Sequence, residues 1–418
     1  MARILLRAHK DPFTVAAPSK VFRKNLIGEN VGNLLFQQAS YKLLQTEGTE
    51  VVTGRLLGGR EQAERINTEF DHVVIPLANA FRFSFRTELD RMTETIESLT
   101  VPVTVLGVGA QMHLDGDIAR LGRMRASVSR FMRAVLDRSP SVGVRGEFTD
   151  RYLQSLGFTD TDVIGCPSLY MNGPELQVTK RVQRLSKLSK ISLNLTPYVT
   201  ELGPLVEQQM QRYPRLRYAA QHREALGMLL GGAPLTAEVL AEAQRMLPTH
   251  HEHPLIARNR TSFFVDPRPW IDYLSRFDFS FGTRIHGNIA ALLAGTPAHV
   301  LAHDSRTLEL ARFYDIPHTP MHQVTGDTDA ADLYAASDYA AFNAGLPARF
   351  AHFADYLEDH RLQHVYQPGQ DAMRFERRAA ATPFPGDVSR SLAYRRASAV
   401  RVLRRFPSGV RRPEAAVA

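Results

Sequence analysis

The 418-residue chain is long enough for two domains, and its 44% hydrophobic and 22% charged residues are typical of a globular protein. Its net charge of +8 is concentrated in residues 370–418, where eleven Arg and four acidic residues give +7; the remainder carries only +1, so the charge does not indicate a nucleic-acid enzyme. No apolar run is long enough to cross a bilayer, and a single cysteine, Cys166, excludes an internal disulfide.

The first half of the chain alternates short apolar runs with helical patterns. The predicted strands are residues 3–8, 50–53, 72–77, 101–108, 141–144 and 161–164. The predicted helices are residues 33–45, 86–99, 118–136 and 147–156. This alternation predicts a parallel sheet with helices on both faces.

A Lys- and Ser-rich linker at residues 180–190 precedes a second series of the same kind. Its predicted strands are residues 191–195, 216–221, 262–265, 277–281 and 298–303, and its predicted helices are residues 237–246, 268–275, 287–294 and 307–314. We therefore predict an N-terminal domain over residues 1–180, a C-terminal domain over 181–345, a closing helix within 346–369 and a basic tail over 370–418. Such paired domains bind ligands in the cleft at the carboxyl ends of their strands.

The basic tail allows two interpretations. Residues 389–406 can form an amphipathic helix that lies on anionic lipid, or they can remain a solvated tail. The first residues become charged too soon for a signal peptide, so we expect a cytoplasmic protein, with peripheral contact at the inner face of the membrane if the tail binds lipid.

The most informative segment is the seven-residue turn GTRIHGN, from Gly282 to Asn288. It lies between a predicted strand and a predicted helix, so Arg284 and His286 fall at a helix N-terminus. That position favours anions, and an imidazole can transfer a proton near neutral pH. The alternative is an exposed turn with an ordinary surface Arg and His.

Two other features have structural explanations. Cys166 follows a strand-like run, which favours a small buried side chain over a nucleophile. The sequence His250-His251-Glu252-His253 suggests a metal site, but adjacent side chains point apart and no distant ligand pattern accompanies them, so we predict a polar loop and no metal.

Four segments resemble the polysaccharide pyruvyl transferase family. The most specific is FGTRIHGNIAALLAGTPAHVLAHDSRTLELARFYDIP; the others are VPVTVLGVGAQ, SVGVRGEFTDRYLQSLGF and ENVGNLLFQQASYKLL. The resemblance implies two Rossmann-like, doubly wound α/β domains similar to the glycosyltransferase B architecture. It also implies transfer of the carbon skeleton of phosphoenolpyruvate to two hydroxyls of a sugar, giving a pyruvate ketal and phosphate without a further cofactor.

The resemblance also implies roles for individual residues. His286 would be the general acid/base and Arg284 would bind the phosphate or carboxylate of the donor; the alternatives are a helix cap and a structural salt bridge. The further substrate-binding candidates, in order, are Arg145, Gly107, Gly109, Gln111, Asn33 and Asp304.

Each of these candidates also has a structural alternative. Arg145 can form an ion pair with Glu147 or have a role at a helix end, and the glycines can serve a tight turn. Asn33, together with Asn30 and Gly32, can cap a helix, and Asp304 can pair with Arg306.

The chain departs from the family at two places, which makes the acceptor harder to assign than the reaction. The family's glycine-rich turn after the third strand is PLANAFR here, and Arg306 stands where many members carry Lys. The expected acceptor is a cell-envelope or exopolysaccharide sugar, free or lipid-linked. The alternative functions are a nucleotide-sugar glycosyltransferase of similar fold and a non-catalytic sugar-binding relative.

Overall fold

The computed structural model describes residues 1–112, 114, 118–232 and 246–389. The strands are β1 Ala2–Arg7, β2 Thr49–Gly54, β3 His72–Pro76, β4 Asn79–Phe81, β5 Val103–Leu106, β6 Gly109–Ala110, β7 Val142–Val144, β8 Thr161–Val163, β9 Ile191–Asn194, β10 Arg217–Ala220, β11 Thr261–Phe263, β12 Phe279–Gly282, β13 Ala298–Ala302 and β14 His318–Pro320. The helices are α1 Pro18–Lys24, α2 Gly32–Leu44, α3 Arg60–Glu69, α4 Arg86–Glu97, α5 Arg125–Leu136, α6 Glu147–Ser155, α7 Gly203–Arg212, α8 Arg223–Leu229, α9 Pro254–Ala257, α10 Pro267–Leu274, α11 Ile285–Leu293, α12 Ser305–Phe313, α13 Ala330–Ala336, α14 Ala340–Asp359 and α15 Arg374–Ala381.

The first sheet is parallel and has the strand order β2-β1-β3-β5. In β3, residues Val73, Val74 and Ile75 are completely buried, which is expected when helices cover both faces of a sheet. Two short parallel pairs, β4-β6 and β7-β8, extend this half of the molecule. The strand order reverses between β1 and β3, so loops diverge from the carboxyl ends of these strands and leave a crevice.

The second sheet is parallel and has the order β11-β10-β9-β12-β13-β14. Its order reverses between β9 and β12, and the turn from Gly282 to Asn288 leaves the carboxyl end of β12 at that point. The prediction of two doubly wound, parallel α/β domains is confirmed. The predicted turn also lies where open α/β sheets bind ligands.

Helix α14 returns the chain to the first half of the molecule. The Tyr356 hydroxyl donates to the carbonyl of Val105 and accepts from the amide of Gly143, both at 2.8 Å. The helix begins at Ala340, earlier than the closing helix that the sequence predicts. The predicted limits of the domains themselves stay predictions.

Part of the predicted basic tail is a packed helix. In α15, Phe375 and Ala379 are buried, and Glu376 forms an ion pair with Lys42 of α2 at 2.7 Å. The guanidinium of Arg378 lies 3.8 Å from the ring centre of Phe13. The high Arg content hid this short amphipathic pattern from sequence reasoning.

Other sequence predictions differ from the structure or fall outside it. Residues 118–136 are a 3₁₀ segment, Ile118–Met124, followed by α5 rather than one helix. The helices predicted at 237–246 and 389–406 lie, apart from Met246 and Ser389, outside the described residues. Within the described ranges, no helix is both long and apolar enough to cross a membrane.

A buried ion pair joins the two halves of the molecule. Lys10, just after β1, contacts the carboxylate of Asp266, just after β11, and their side chains are 3% and 1% exposed. Burial raises the pKa of Asp266 to about 6 even though Lys10 opposes that shift. Its second carboxylate oxygen has no hydrogen-bond partner in the described part of the chain.

We expect Lys10→Met to destabilise the protein by about 3–5 kcal/mol, because it leaves a buried carboxylate without its cation. The double variant Lys10→Met/Asp266→Leu should recover most of this loss, since it removes both desolvated charges. Thermal unfolding followed by calorimetry measures the difference. A double variant no more stable than Lys10→Met would show that packing, rather than the unpaired charge, is responsible.

Candidate active site

The turn between β12 and α11 has a backbone that only glycine accommodates at its first position. Gly282 has φ +143°, and a Cβ there would collide with the backbone oxygen of Asn194. Arg284 is extended and caps α11, which starts at Ile285. His286 is therefore the second residue of the helix, and Arg284 stands at its amino end, where unpaired N–H groups and the helix dipole favour negative charge.

Buried amides hold this turn in place. The Asn194 side-chain oxygen accepts from the amide of Arg284 at 2.8 Å, and its side-chain nitrogen donates to Asn288 at 2.8 Å. Asn288 in turn donates to the carbonyl of Gly282 at 3.0 Å. Asn194 and Asn288 are 1% and 0% exposed, so buried side chains hold the turn on its interior side. Sequence reasoning missed Asn194; the signal was an Asn ending the apolar strand ISLN.

Arg284 and His286 line one cavity of about 460 Å³ between the two halves of the molecule. The N-terminal half supplies Asn33 and Gln111 to the same cavity, as the sequence predicts. Its walls also include Phe36, Asn79, Arg7, Arg82, Tyr198, His222 and Arg306. The two predicted catalytic side chains thus share a space that faces the opposing half.

Arg284 is available to an anion. Its Nε donates to the carbonyl of Leu195 at 3.3 Å, while Nη2 has no hydrogen-bond partner among the residues described. Burial lowers its pKa to about 10, and the nearby Arg306 contributes to the shift. A guanidinium at this pKa remains charged at neutral pH. The alternative for Arg284 was a structural salt bridge. No carboxylate pairs with Arg284 within the described ranges, and the nearby Asp304 pairs with His303 and Arg306 instead.

His286 is a buried imidazole surrounded by cations. Its ring centre lies 5.5 Å from that of Phe36, and its Nε2 lies 3.7 Å from the Cys166 sulfur. Burial, followed by the charges of Arg145, Arg306 and Arg284, lowers its pKa well below the usual value. In the protein alone the ring is neutral at pH 7, and an anion beside it would favour protonation.

Arg145 lies behind His286 rather than on the wall of the cavity. It is completely buried, and in the described structure none of its three guanidinium nitrogens has a hydrogen-bond partner. The predicted alternative, an ion pair with Glu147, is not formed; the carboxylate nearby is Glu309. Burial lowers the pKa of Arg145, against the opposing effects of Cys166 and Glu309. Its role in substrate binding stays a prediction.

Gly107 and Gly109 serve close packing, whereas Gln111 faces the cavity. Gly107 has φ +68°, and a Cβ there would meet the carbonyl of Gly165; at Gly109 a Cβ would meet that of Ala78. Neither glycine lines the cavity. Close backbone packing therefore explains both glycines, and a role for either in substrate binding stays a prediction.

Asn33 and Asp304 have structural partners as well. The Asn33 side chain donates to the carbonyls of Ile27 and Gly28 at 3.1 and 2.7 Å while it lines the cavity. Asp304 does not line it. Asp304 caps α12 through Thr307 and pairs with Arg306 at 3.0 Å, so the alternative of an ion pair is confirmed. Although burial alone would raise the pKa of Asp304, Arg306 and His303 lower it to about 2.

Several cavity residues were not predicted as site residues, among them the charged or titratable Arg7, Arg82 and His222. Arg82 belongs to the PLANAFR segment, where the sequence departs from the family, and Arg7 ends β1. His222 follows β10, and burial, with Arg284 and Arg306, lowers its pKa to about 2. Each lies on a different strand end, so no local pattern in the sequence connects them.

The three histidines at residues 250–253 each contact a different partner, so these contacts do not converge on a common metal position. His250 contacts Glu252 at 3.3 Å, His251 contacts the carbonyl of Gly232 at 3.0 Å and His253 contacts that of Met246 at 3.2 Å. The polar loop predicted for this segment is confirmed. The absence of a bound metal stays a prediction.

Comparison with known proteins gives one match to a family. A family model described as "Polysaccharide pyruvyl transferase" matches residues 30–305. No curated protein matches the chain.

Three solved structures are similar to this chain at low identity. An uncharacterised protein from Klebsiella pneumoniae is 12% identical with a TM-score of 0.41, covering 76% of this chain and 93% of that one. The UDP-GlcNAc 2-epimerase of Methanocaldococcus jannaschii is 9% identical with a TM-score of 0.40, covering 97% and 99%. Anabaena Alr3699/HepE, solved with UDP and glucose, is 12% identical with a TM-score of 0.41, covering 91% and 99%.

Glu309 should make stability depend on pH. Its carboxylate accepts from the amide and hydroxyl of Thr149, and burial raises its pKa to about 7 from 4.5. Between those values the folded protein holds a proton that the unfolded chain has released, so stability falls as pH rises from 5 to 8. We expect the wild type to lose on the order of 1–3 kcal/mol over this range relative to Glu309→Gln.

Thermal unfolding of both proteins at intervals from pH 5 to 8 measures this effect. Glu61→Gln, at an exposed position of α3, is the matched control and should follow the wild type. Parallel profiles for the wild type and Glu309→Gln would contradict the assignment.

Proposed function

The chain belongs to the polysaccharide pyruvyl transferase family, and from this premise we propose that it transfers a pyruvyl group from phosphoenolpyruvate to two hydroxyls of a cell-envelope or exopolysaccharide sugar. The observation that supports this most directly is that Arg284 and His286 line one cavity shared by both halves of the molecule. The product would be a cyclic pyruvate ketal, released together with phosphate.

The cations at the C-terminal side of the cavity suit the donor. Phosphoenolpyruvate carries a phosphate and a carboxylate, which guanidinium groups bind through paired hydrogen bonds. Arg284 lines the cavity and forms no ion pair within the described ranges, and Arg306 lines the same cavity. The amino end of α11 adds backbone N–H groups and a favourable dipole.

His286 would supply and remove the protons. In the first step the imidazolium gives a proton to the methylene carbon of the donor, and the neighbouring carbon becomes cation-like. An acceptor hydroxyl forms a bond to that carbon and returns its proton to His286. Phosphate then leaves with the electron pair of its C–O bond, stabilised by Arg284. The second hydroxyl adds to the same carbon, and its proton departs with the phosphate.

The decisive experiment measures which leaving group appears. Purified protein is incubated with phosphoenolpyruvate or with UDP-sugars, each with a panel of saccharide acceptors. The proposal expects acceptor-dependent phosphate release and a product heavier by the mass of a pyruvate ketal. UDP release without phosphate release would support a glycosyltransferase. If neither phosphate nor UDP is released, the result would support a binding protein. We also propose that the acceptor is lipid-linked and that the basic tail contacts anionic membranes. The same assays test both proposals when the panel includes lipid-linked acceptors and is run with and without anionic vesicles.

Replacement of His286 should abolish most of the reaction without loss of the fold. We expect His286→Ala to lower the turnover number by roughly 10²–10⁴-fold, because no other group would protonate the methylene carbon. Phosphate release gives the rate and circular dichroism reports the fold. His322→Ala, at an exposed position outside the cavity, should keep the wild-type rate. A near-normal rate for His286→Ala excludes it as the acid.

Donor binding should take up a proton near pH 7. The pKa of His286 is lowered by burial and by three arginines, so the ring is neutral until the donor's negative charges arrive and raise its pKa. Titration calorimetry in buffers of different ionisation enthalpy measures the uptake. The uptake should be lost in His286→Asn and kept in Glu309→Gln, which separates the two buried groups. Equal uptake in wild type and His286→Asn would refute this.

A further inference from the structure

Arginines also gather on the other side of the cavity, at the carboxyl ends of strands in the N-terminal half. Arg7 is the last residue of β1, and Arg55 directly follows Gly54, which pairs with Arg7 in β2. Arg82 directly follows β4. Parallel strands bring their carboxyl ends to one edge, so residues far apart in sequence meet here.

These arginines line a second cavity of about 270 Å³. The two cavities share Arg7, His9, Arg82 and Phe85 as lining residues, so the second cavity continues the first. Arg55 and Arg91 belong to the second cavity alone. A ligand that reaches from one cavity to the other would pass Arg82.

The charge of this second cavity is not neutralised by the protein. Within the described ranges, Arg7 and Arg55 form no ion pair and no side-chain hydrogen bond. Two acidic residues line the cavity: Glu29, which pairs with Arg223 at 3.2 Å, and Glu88. Burial lowers the pKa of Arg7 to about 10, and the charge of Arg55 lowers it further while Glu88 opposes the shift. Four arginines thus face two carboxylates on the cavity wall, and a bound anion would relieve the remaining repulsion between the guanidinium groups.

The donor does not account for these arginines. Its phosphate and carboxylate are matched by Arg284 and Arg306 at the C-terminal side, with Arg145 behind them. Arg7 and Arg55 belong to the opposite half of the molecule, and the proposed chemistry uses neither of them. A second anion, separate from the donor, would satisfy them.

We propose that Arg7, Arg55 and Arg82 form a second anion subsite, which binds a phosphate or diphosphate ester. Resting on the proposed function, this ester is the phosphorylated end of the acceptor saccharide, and the sugar to be modified lies between the two anion sites. Guanidinium groups at the rim would fix the diphosphate bidentately and place the far sugar hydroxyls beside His286. A neutral saccharide of the same structure would bind without this anchor.

The first test uses pyrophosphate as the probe and titration calorimetry as the measurement. Wild-type protein should bind pyrophosphate even when phosphoenolpyruvate is saturating, because the two sites are separate. Arg55→Ala should weaken pyrophosphate binding at least tenfold and leave phosphoenolpyruvate binding within threefold; Arg284→Ala should do the reverse. Arg55 is exposed, so its replacement should not unfold the protein. Arg60→Ala, on the nearby exposed face of α3, is the matched control and should change neither affinity.

Other outcomes overturn the subsite. Pyrophosphate that is displaced by phosphoenolpyruvate, binds equally to Arg55→Ala, or fails to bind at millimolar concentration refutes it. The two proposals fail separately. If pyrophosphate binding depends on Arg55 but phosphoenolpyruvate is neither bound nor consumed, the subsite stands and the pyruvyl transfer does not; the opposite result removes only the subsite.

A second arm distinguishes the two sources of a diphosphate ester. UDP and farnesyl diphosphate share the diphosphate but differ in the group attached to it. Both should lose affinity in Arg55→Ala if the subsite reads the diphosphate. Tighter binding of farnesyl diphosphate in wild type supports a lipid-linked acceptor, and tighter binding of UDP supports a nucleotide-linked one. Binding of either that is unaffected by Arg55→Ala counts against the subsite.

Discussion

The hydrogen bonds that Asn194 makes beneath the β12–α11 turn are the constraint on which the site depends. Asn194 bonds to the backbone of Arg284 and to Asn288, and the collision that any Cβ at Gly282 would make with the Asn194 carbonyl fixes the path of the chain. A buried amide network of this kind is costly if any member is unpaired, so it favours a single arrangement. The hydrogen-bonded turn therefore holds Arg284 and His286 on the cavity wall, which is the preorganisation that electrostatic catalysis needs.

The electrostatics of the cavity follow from burial as much as from charge. Arg284, Arg306 and Arg145 surround His286, and burial deprives them of water that would screen their charges. The imidazole is therefore held neutral, while the guanidinium of Arg284, whose pKa is about 10, stays charged at neutral pH. A polyanion bound here would gain strong attraction and would also change the protonation state of His286. In the function that we propose, the same residues would bind the donor, and the donor's arrival would provide the protonated His286 that the reaction needs.

The sequence predicted correctly those elements whose pattern is contained in a short stretch of neighbouring residues. The central strands are continuous apolar runs because both faces are covered, and the GTRIHGN turn contains its own anion-binding and proton-transfer groups. Arg7, Arg82 and His222 could not be predicted in the same way. They lie at the ends of three strands from different sheets, and these ends come together only in the folded protein. Helix α15 was hidden by its arginines, although Phe375 and Ala379 supply its buried face. Gly107 and Gly109 matched a family motif, yet close packing with Gly165 and Ala78 explains them.

The cavity depends on the relative orientation of the two halves more than on the stability of either half. Both supply walls to the cavity, so a rotation of one against the other would separate His286 from Asn33 and Gln111. Lys10 and Asp266 join the halves through desolvated charges, and such a pair adds little net stability compared with apolar side chains of similar size. It does, however, penalise any displacement that would leave either charge buried alone. The Tyr356 hydroxyl, bonded to Val105 and Gly143, attaches α14 to the first sheet at a second point. Polar attachments at two separate points restrict the orientation of the halves, which is what a cavity built from both of them requires.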